Sequence, residues 1–179
     1  MSSKYKSMFL SPNDCAEVFA AHKARLEEAL SAASRDGAVI AVVDPGLRPF
    51  EAIDLRGHGA WDSIILFQAA IGNPGPRPKD LALRKAYDAL LRRDSFDEIA
   101  NNHPATFVAG EIGWRGGLYK AGIALGLSGF SPDNADDDMA QPFLDDLVLV
   151  ASRNYRAWLA NRGQHLAESD GRMRQLPRY

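Results

Sequence analysis

A single cysteine, Cys15, stands among 179 residues. That excludes an intrachain disulfide framework and leaves almost no room for a cysteine-based zinc site. Long apolar runs are also missing. The longest, Ala38–Val43 and Ile64–Phe67, fall far short of the roughly 18 residues that read as a membrane span. Residues Met1–Leu10 carry Lys4 and Lys6 without an apolar segment of signal-peptide length. These absences lead us to expect a cytoplasmic protein in a reducing compartment, with no membrane partner. The usage of Ala, Arg and Gly points to a bacterial source.

Signatures of chemistry are equally scarce. There is no Gly-x-Ser-x-Gly nucleophile elbow and no His-Glu-x-x-His zinc motif. The four histidines, His22, His58, His103 and His165, show no metal-ligand spacing. We therefore expect neither a metal nor a cofactor, and no catalytic residue is assigned.

What is present describes a folded chain. Hydrophobic residues make up 46% and charged residues 25%, values that exclude global disorder. The length suits one domain, which we place at residues 1–163, followed by a polar tail over 164–179. The net charge of −2 hides a sorted pattern. Arg77, Lys79, Arg84, Lys85, Arg92 and Arg93 face only Asp80 and Asp88. Asp133, Asp136, Asp137, Asp138, Asp145 and Asp146 have no base among them. Charge segregated in this way either steers a partner or neutralises itself within the fold.

Hydrophobic period and capping residues predict the elements. Ser11, Pro12 and Asp14 open a helix whose stripe runs from Cys15 to Ala33. Ala38–Val43 reads as a buried strand, Asp44-Pro45-Gly46 as a turn, and Phe50–Leu55 as the second strand of a hairpin. Ala60–Ile71 reads as a central helix, Gly72–Pro78 as a loop and Asp80–Arg93 as an amphipathic helix. A short capped helix follows Ser95, and Ala105–Ala109 is a candidate third strand. Leu118–Leu127 reads as a small-residue helix, in which the Gly122/Gly126 pair would admit a close neighbour. Gln141–Asn161 is the last strong helix. The expected fold is α+β: a helix-rich single domain of about six helices on a small antiparallel β-hairpin.

Four groups of residues are candidates for function. Lys79–Arg93 followed by Ser95-Phe96-Asp97-Glu98-Ile99-Ala100 resembles the first two helices of a helix-turn-helix module. Recognition would need a third helix, and the sequence from His103 to Val108 offers no base-reading side chain. Gly113, Arg115, Gly116, Gly117 and Lys120 suggest a weak phosphate cradle, although the Walker spacing is absent. Asn134, Asp136 and Asp138 alternate as in calcium loops, but Met139 stands where an EF-hand needs glycine. His58 with Asp54 or Glu111 would make an acid–base pair if the fold brought them together.

The balance favours a non-catalytic binding protein, an adaptor or regulator working through a macromolecular partner. That partner is a protein first and a nucleic acid second. The bases Arg77, Lys79, Arg84, Lys85, Arg92, Arg93, Arg153 and Arg156 are the candidate contacts. Tyr155, Trp158 and Arg156 near the C-terminus add residue types that interfaces favour. A small enzyme or nucleotide binder using His58 and Gly110–Gly117 is the remaining alternative.

Overall fold

The computed structural model describes residues 7–45, 64–106, 115–130 and 135–168. Within them the chain forms α1 (Pro12–Ala32), β1 (Gly37–Val43), β2 (Ile65–Gly72), α2 (Pro76–Arg92) and α3 (Phe96–Asn102). A 3-10 turn (Pro104–Thr106), β3 (Gly117–Lys120), β4 (Ile123–Ser128) and α4 (Ala135–Glu168) follow. The strands make one antiparallel sheet in the order β2-β1-β4-β3.

The class is α+β, but the expected layout is wrong. Among the described residues there are four α-helices and a four-stranded sheet in place of six helices on a hairpin.

Two segments account for the error. Of the segment expected as a central helix, Ala60–Ile71, residues 60–63 lie outside the described residues and Ile65–Ile71 supplies β2, which pairs with β1 from Gly37↔Gly72 to Val43↔Ile65. A short apolar run fits a buried helix and a strand equally well by periodicity. The deciding fact is non-local. β1 is buried along its whole length and is bonded on both sides, so it needs two neighbours. The second segment, Leu118–Leu127, is a hairpin. Ala121 and Gly122 have φ of 50° and 86°, the doubly positive geometry of a two-residue type I′ turn. Apolar residues alternate after it at Ile123, Leu125 and Leu127. The Phe50–Leu55 strand lies outside the described residues. Of the candidate strand Ala105–Ala109, residues 105 and 106 belong to the 3-10 turn and the rest lies outside.

The sheet is covered on both faces. Ala38, Ile40 and Val42 of β1 join Leu125 and Leu127 of β4 in a core with Cys15, Leu26 and Leu30 of α1 and Phe143, Leu144 and Leu147 of α4. Val43 packs with Ala86, Tyr87 and Leu90 of α2, and Val39 and Ala41 with Ala82. This alternation explains why β1 is apolar at every position. Gly126 makes the α2 side tight: a Cβ there would overlap the Ala82 carbonyl oxygen and lie 2.7 Å from the Ala86 nitrogen. The small-residue spacing thus serves a close approach of helix to strand.

Two helices start as their sequences predict. In α1 the Ser11 hydroxyl accepts the Asp14 N–H at 3.2 Å, and the Asp14 carboxylate accepts the Ser11 N–H at 2.8 Å. A second capping box joins Ser95 and Glu98 at α3. α4 continues through residues 164–168, beyond the boundary expected for the tail. No helix among the described residues is long and apolar enough to cross a membrane.

Candidate binding surface

Part of the sorted charge is paired within the molecule, in one buried pair and several exposed ones. Lys85 is buried on α2. Its Nζ donates to Asp136 at 2.7 Å and to the Leu127 carbonyl at 3.0 Å. It therefore does not belong to an outward basic face, because its position on α2 points between β4 and the start of α4. Removing one member of such a pair strands the other, at a typical cost of about 3–5 kcal/mol. Asp136 also accepts the Phe130 N–H at 2.9 Å. Lys120 meets Asp145 at 2.6 Å, and this hydrogen bond holds the Asp145 carboxyl below its ordinary range. Arg115 meets Asp97 at 2.9 Å. Arg84 is exposed and pairs with Asp80 one turn earlier, at 3.1 Å. Arg77, Lys79 and Arg93 are exposed on or just after α2, and Arg92 is half-buried.

The glycine-rich segment carries an internal anion. The Gly116 N–H, one of the groups offered to a phosphate, donates to the Asp137 carboxylate. Burial pushes the Asp137 carboxyl above its ordinary value, a shift that the Gly116 hydrogen bond only partly offsets. Gly116 has φ of +100°, and a Cβ on Gly117 would sit 2.8 Å from the Lys85 carbonyl oxygen. These glycines are spent on a turn and on close packing against α2. Gly113 lies outside the described residues. Of the alternation read as a calcium loop, Asn134 lies outside the described residues, and Asp136 and Asp138 belong to the first turn of α4, where carboxylates favour the positive helix end.

The structure leaves an apolar surface at the far end of α4. The inward stripe of that helix, Leu144, Leu147, Ala151, Tyr155 and Trp158, continues past the covered part of the molecule. Leu144 and Leu147 are sealed, whereas Tyr155 is 45% and Trp158 38% exposed. Phe9, from the segment before α1, packs edge-on against both rings, with centroids 5.3 Å and 5.9 Å away. The Asn154 amide donates to the Phe9 carbonyl at 3.1 Å and so fixes that segment to the helix. Met8 (74%), next to Phe9 in the chain, and Leu159 (39%), one turn after Tyr155, are also exposed, as are Arg153 and Arg156 on the same stretch of helix. The period of the stripe allowed Tyr155 and Trp158 to be core. Only the tertiary structure shows that the core stops short of them.

The remaining sequence candidates divide in two. His58, Asp54 and Glu111 lie outside the described residues. His22 is half-buried, with Nε2 2.7 Å from Asp146 and its ring edge-on to Phe143. Cys15 is fully buried, and burial, with the charges of Asp14 and Asp44, pushes its thiol up to about 12. Neither sequence pattern nor spacing singled out the Lys85–Asp136 pair, whose partners are 51 residues apart.

No family model and no curated protein matches the sequence. Two solved structures resemble the fold. The PduOC:heme complex is 20% identical, with a TM-score of 0.50, over 76% of this chain and 94% of that one. The Klebsiella pneumoniae protein ORFY, of family model DUF336, is 20% identical, with a TM-score of 0.53, over 83% and 97%. At this identity the likeness establishes the fold alone.

Proposed function

We propose that this chain is a non-catalytic binding protein whose protein partner docks on the aromatic end of α4. The observation that carries this reading is the overrun of the inward stripe: Tyr155, Trp158 and Leu159, with Met8 and Phe9, present apolar surface beside Arg153 and Arg156. Trp, Tyr and Arg are the residues that most often dominate binding energy, and contiguous exposed apolar patches mark interaction sites. The matching partner surface has an apolar anchor flanked by carboxylates.

The basic helix supports a nucleic-acid reading less well, since Lys85 is internal and Arg84 is paired. The haem of the PduOC complex is not carried over. Among the described residues the half-buried His22 is held by Asp146, and the buried Cys15 is a protonated thiol of the core.

The test compares the wild-type chain with Trp158→Ala and Arg156→Glu variants as bait in extracts of the source cell, with circular dichroism to confirm folding. The reading expects one protein to be retained by the wild type and lost from both variants, while Lys79→Glu retains it. Equal capture by all baits, or release by salt together with nucleic acid, would count against it. Haemin titration is the companion measurement: a 1:1 complex with a shifted Soret band that His22→Ala abolishes would replace this reading with a haem-binding one.

A further inference from the structure

The outward side of α4 carries a second pattern, distinct from the aromatic end. Residues four apart on a helix form a ridge. One such ridge runs Gln141, Asp145, Leu149, Arg153 and Ala157, and all five are exposed. Leu149 is the most exposed large hydrophobic residue in α4, at 66%, and points away from the buried Leu144 and Leu147. The ridge is symmetric in a particular sense. Leu149 is its centre, an acid stands one turn before it and a base one turn after it.

We infer that this ridge is the contact between two copies of the chain, with the α4 helices packed antiparallel about a two-fold axis at Leu149. In that arrangement position 149−n of one copy faces 149+n of the other. Leu149 meets its own counterpart. Asp145 faces the partner's Arg153, and Arg153 faces the partner's Asp145, so one isologous contact forms two identical ion pairs. A parallel pairing would instead set acid against acid and base against base, which is repulsive. At the ends of the ridge the exposed Gln141 of one copy faces the exposed Ala157 of the other.

The local charges leave both partners available. Asp145 accepts from both Lys120 and the Gln141 amide on Oδ1, and at 46% side-chain exposure its Oδ2 can accept a second cation. The acid in the field of Arg153 within its own chain is Asp14 of α1, whose carboxyl that charge helps to lower. Docking here does not use Tyr155 or Trp158. The two sites share Arg153, so Leu149→Asp, which leaves the aromatic end intact, and Trp158→Ala, which leaves the ridge intact, separate failure of the one from failure of the other.

Analytical ultracentrifugation of the full chain tests the inference, with circular dichroism melts on every variant. The wild type is expected to dimerise in the micromolar range, and Leu149→Asp to sediment as a monomer with an unchanged melt. Arg153→Asp and Asp145→Arg should each weaken the dimer by roughly tenfold or more, since each sets like charges together. The double variant Asp145→Arg/Arg153→Asp restores opposite charges in both pairs and should associate more tightly than either single variant, although each chain then sets Arg beside Lys120 and Asp near Asp14. A monomeric wild type at high micromolar concentration would overturn the inference. So would a Leu149→Asp variant of unchanged mass, or a folded double variant no tighter than the singles.

Discussion

At the scale of single residues, burial and hydrogen bonding decide which groups are chemically available. Cys15 was read as a small apolar member of the first helix, and its complete burial fits that role. With the thiol pushed up to about 12, the native protein should resist iodoacetamide at neutral pH and be alkylated fully in denaturant. Rapid labelling of the folded chain would contradict the packing described. Asp14 shows the opposite balance. Burial acts to raise its carboxyl, but the hydrogen bonds with Ser11 and Asn154, aided by the charge of Arg153, bring it below the ordinary value of 3.8. A carboxyl lowered on folding stabilises the protein above its unfolded value, and that contribution disappears as pH falls through the folded value. Asp14→Ala should therefore cost about 1 kcal/mol near neutrality, the usual worth of a capping interaction. In urea melts the gap between variant and wild type should close with acidification below pH 3.8. A gap that persists in acid would assign the loss to packing.

At the scale of elements, the sheet rests on positions where backbone meets backbone. Gly126 lets α2 lie directly on β4, and any side chain there meets the Ala82 carbonyl. Gly126→Ala should destabilise by about 1–3 kcal/mol or more, in line with overpacked cores. Gly122→Ala is the control, since a Cβ there has open space and only its φ of +86° is strained. Thermal melts in which the two variants behave alike would contradict the close approach. The same elements show what the sequence could reveal. α1, α2 and the middle of α4 were legible because their caps and stripes are local. β1 was legible because six consecutive apolar residues, several of them β-branched, suit a buried strand. β2 and the β3–β4 hairpin were not. Ile65–Ile71 is a short apolar run whose strand state comes from pairing with β1, a contact spanning Gly37 to Gly72. In Leu118–Leu127 the glycines suggested helix packing, whereas the Ala121-Gly122 turn and the alternation after it carried the strand signal.

At the scale of the whole molecule, charge and apolar surface exchange the importance that composition gave them. The basic and acidic segments read either as steering surfaces or as charge neutralised within the fold. Lys85–Asp136, Lys120–Asp145 and Gly116–Asp137 show much of that charge closing on itself to anchor α4 to the sheet. The candidate site was legible in part: Tyr155, Trp158 and Arg156 stood out by residue type, but Met8 and Phe9 did not. Their role depends on a chain segment that returns to α4 across 145 residues of sequence, as the Asn154–Phe9 hydrogen bond shows. Among the described residues the aromatic end of α4 stays outward beside the exposed Arg153 and Arg156, and the account stands on its being a protein-docking surface. The most direct measurement replaces Trp158 with a photoreactive benzoylphenylalanine, replaces Lys79 likewise in a second chain, and irradiates both in the source cell. The account predicts one discrete protein adduct from position 158 and none of that mass from position 79. Adducts that arise only from position 79, or none from 158 while the protein is folded and present, would contradict it.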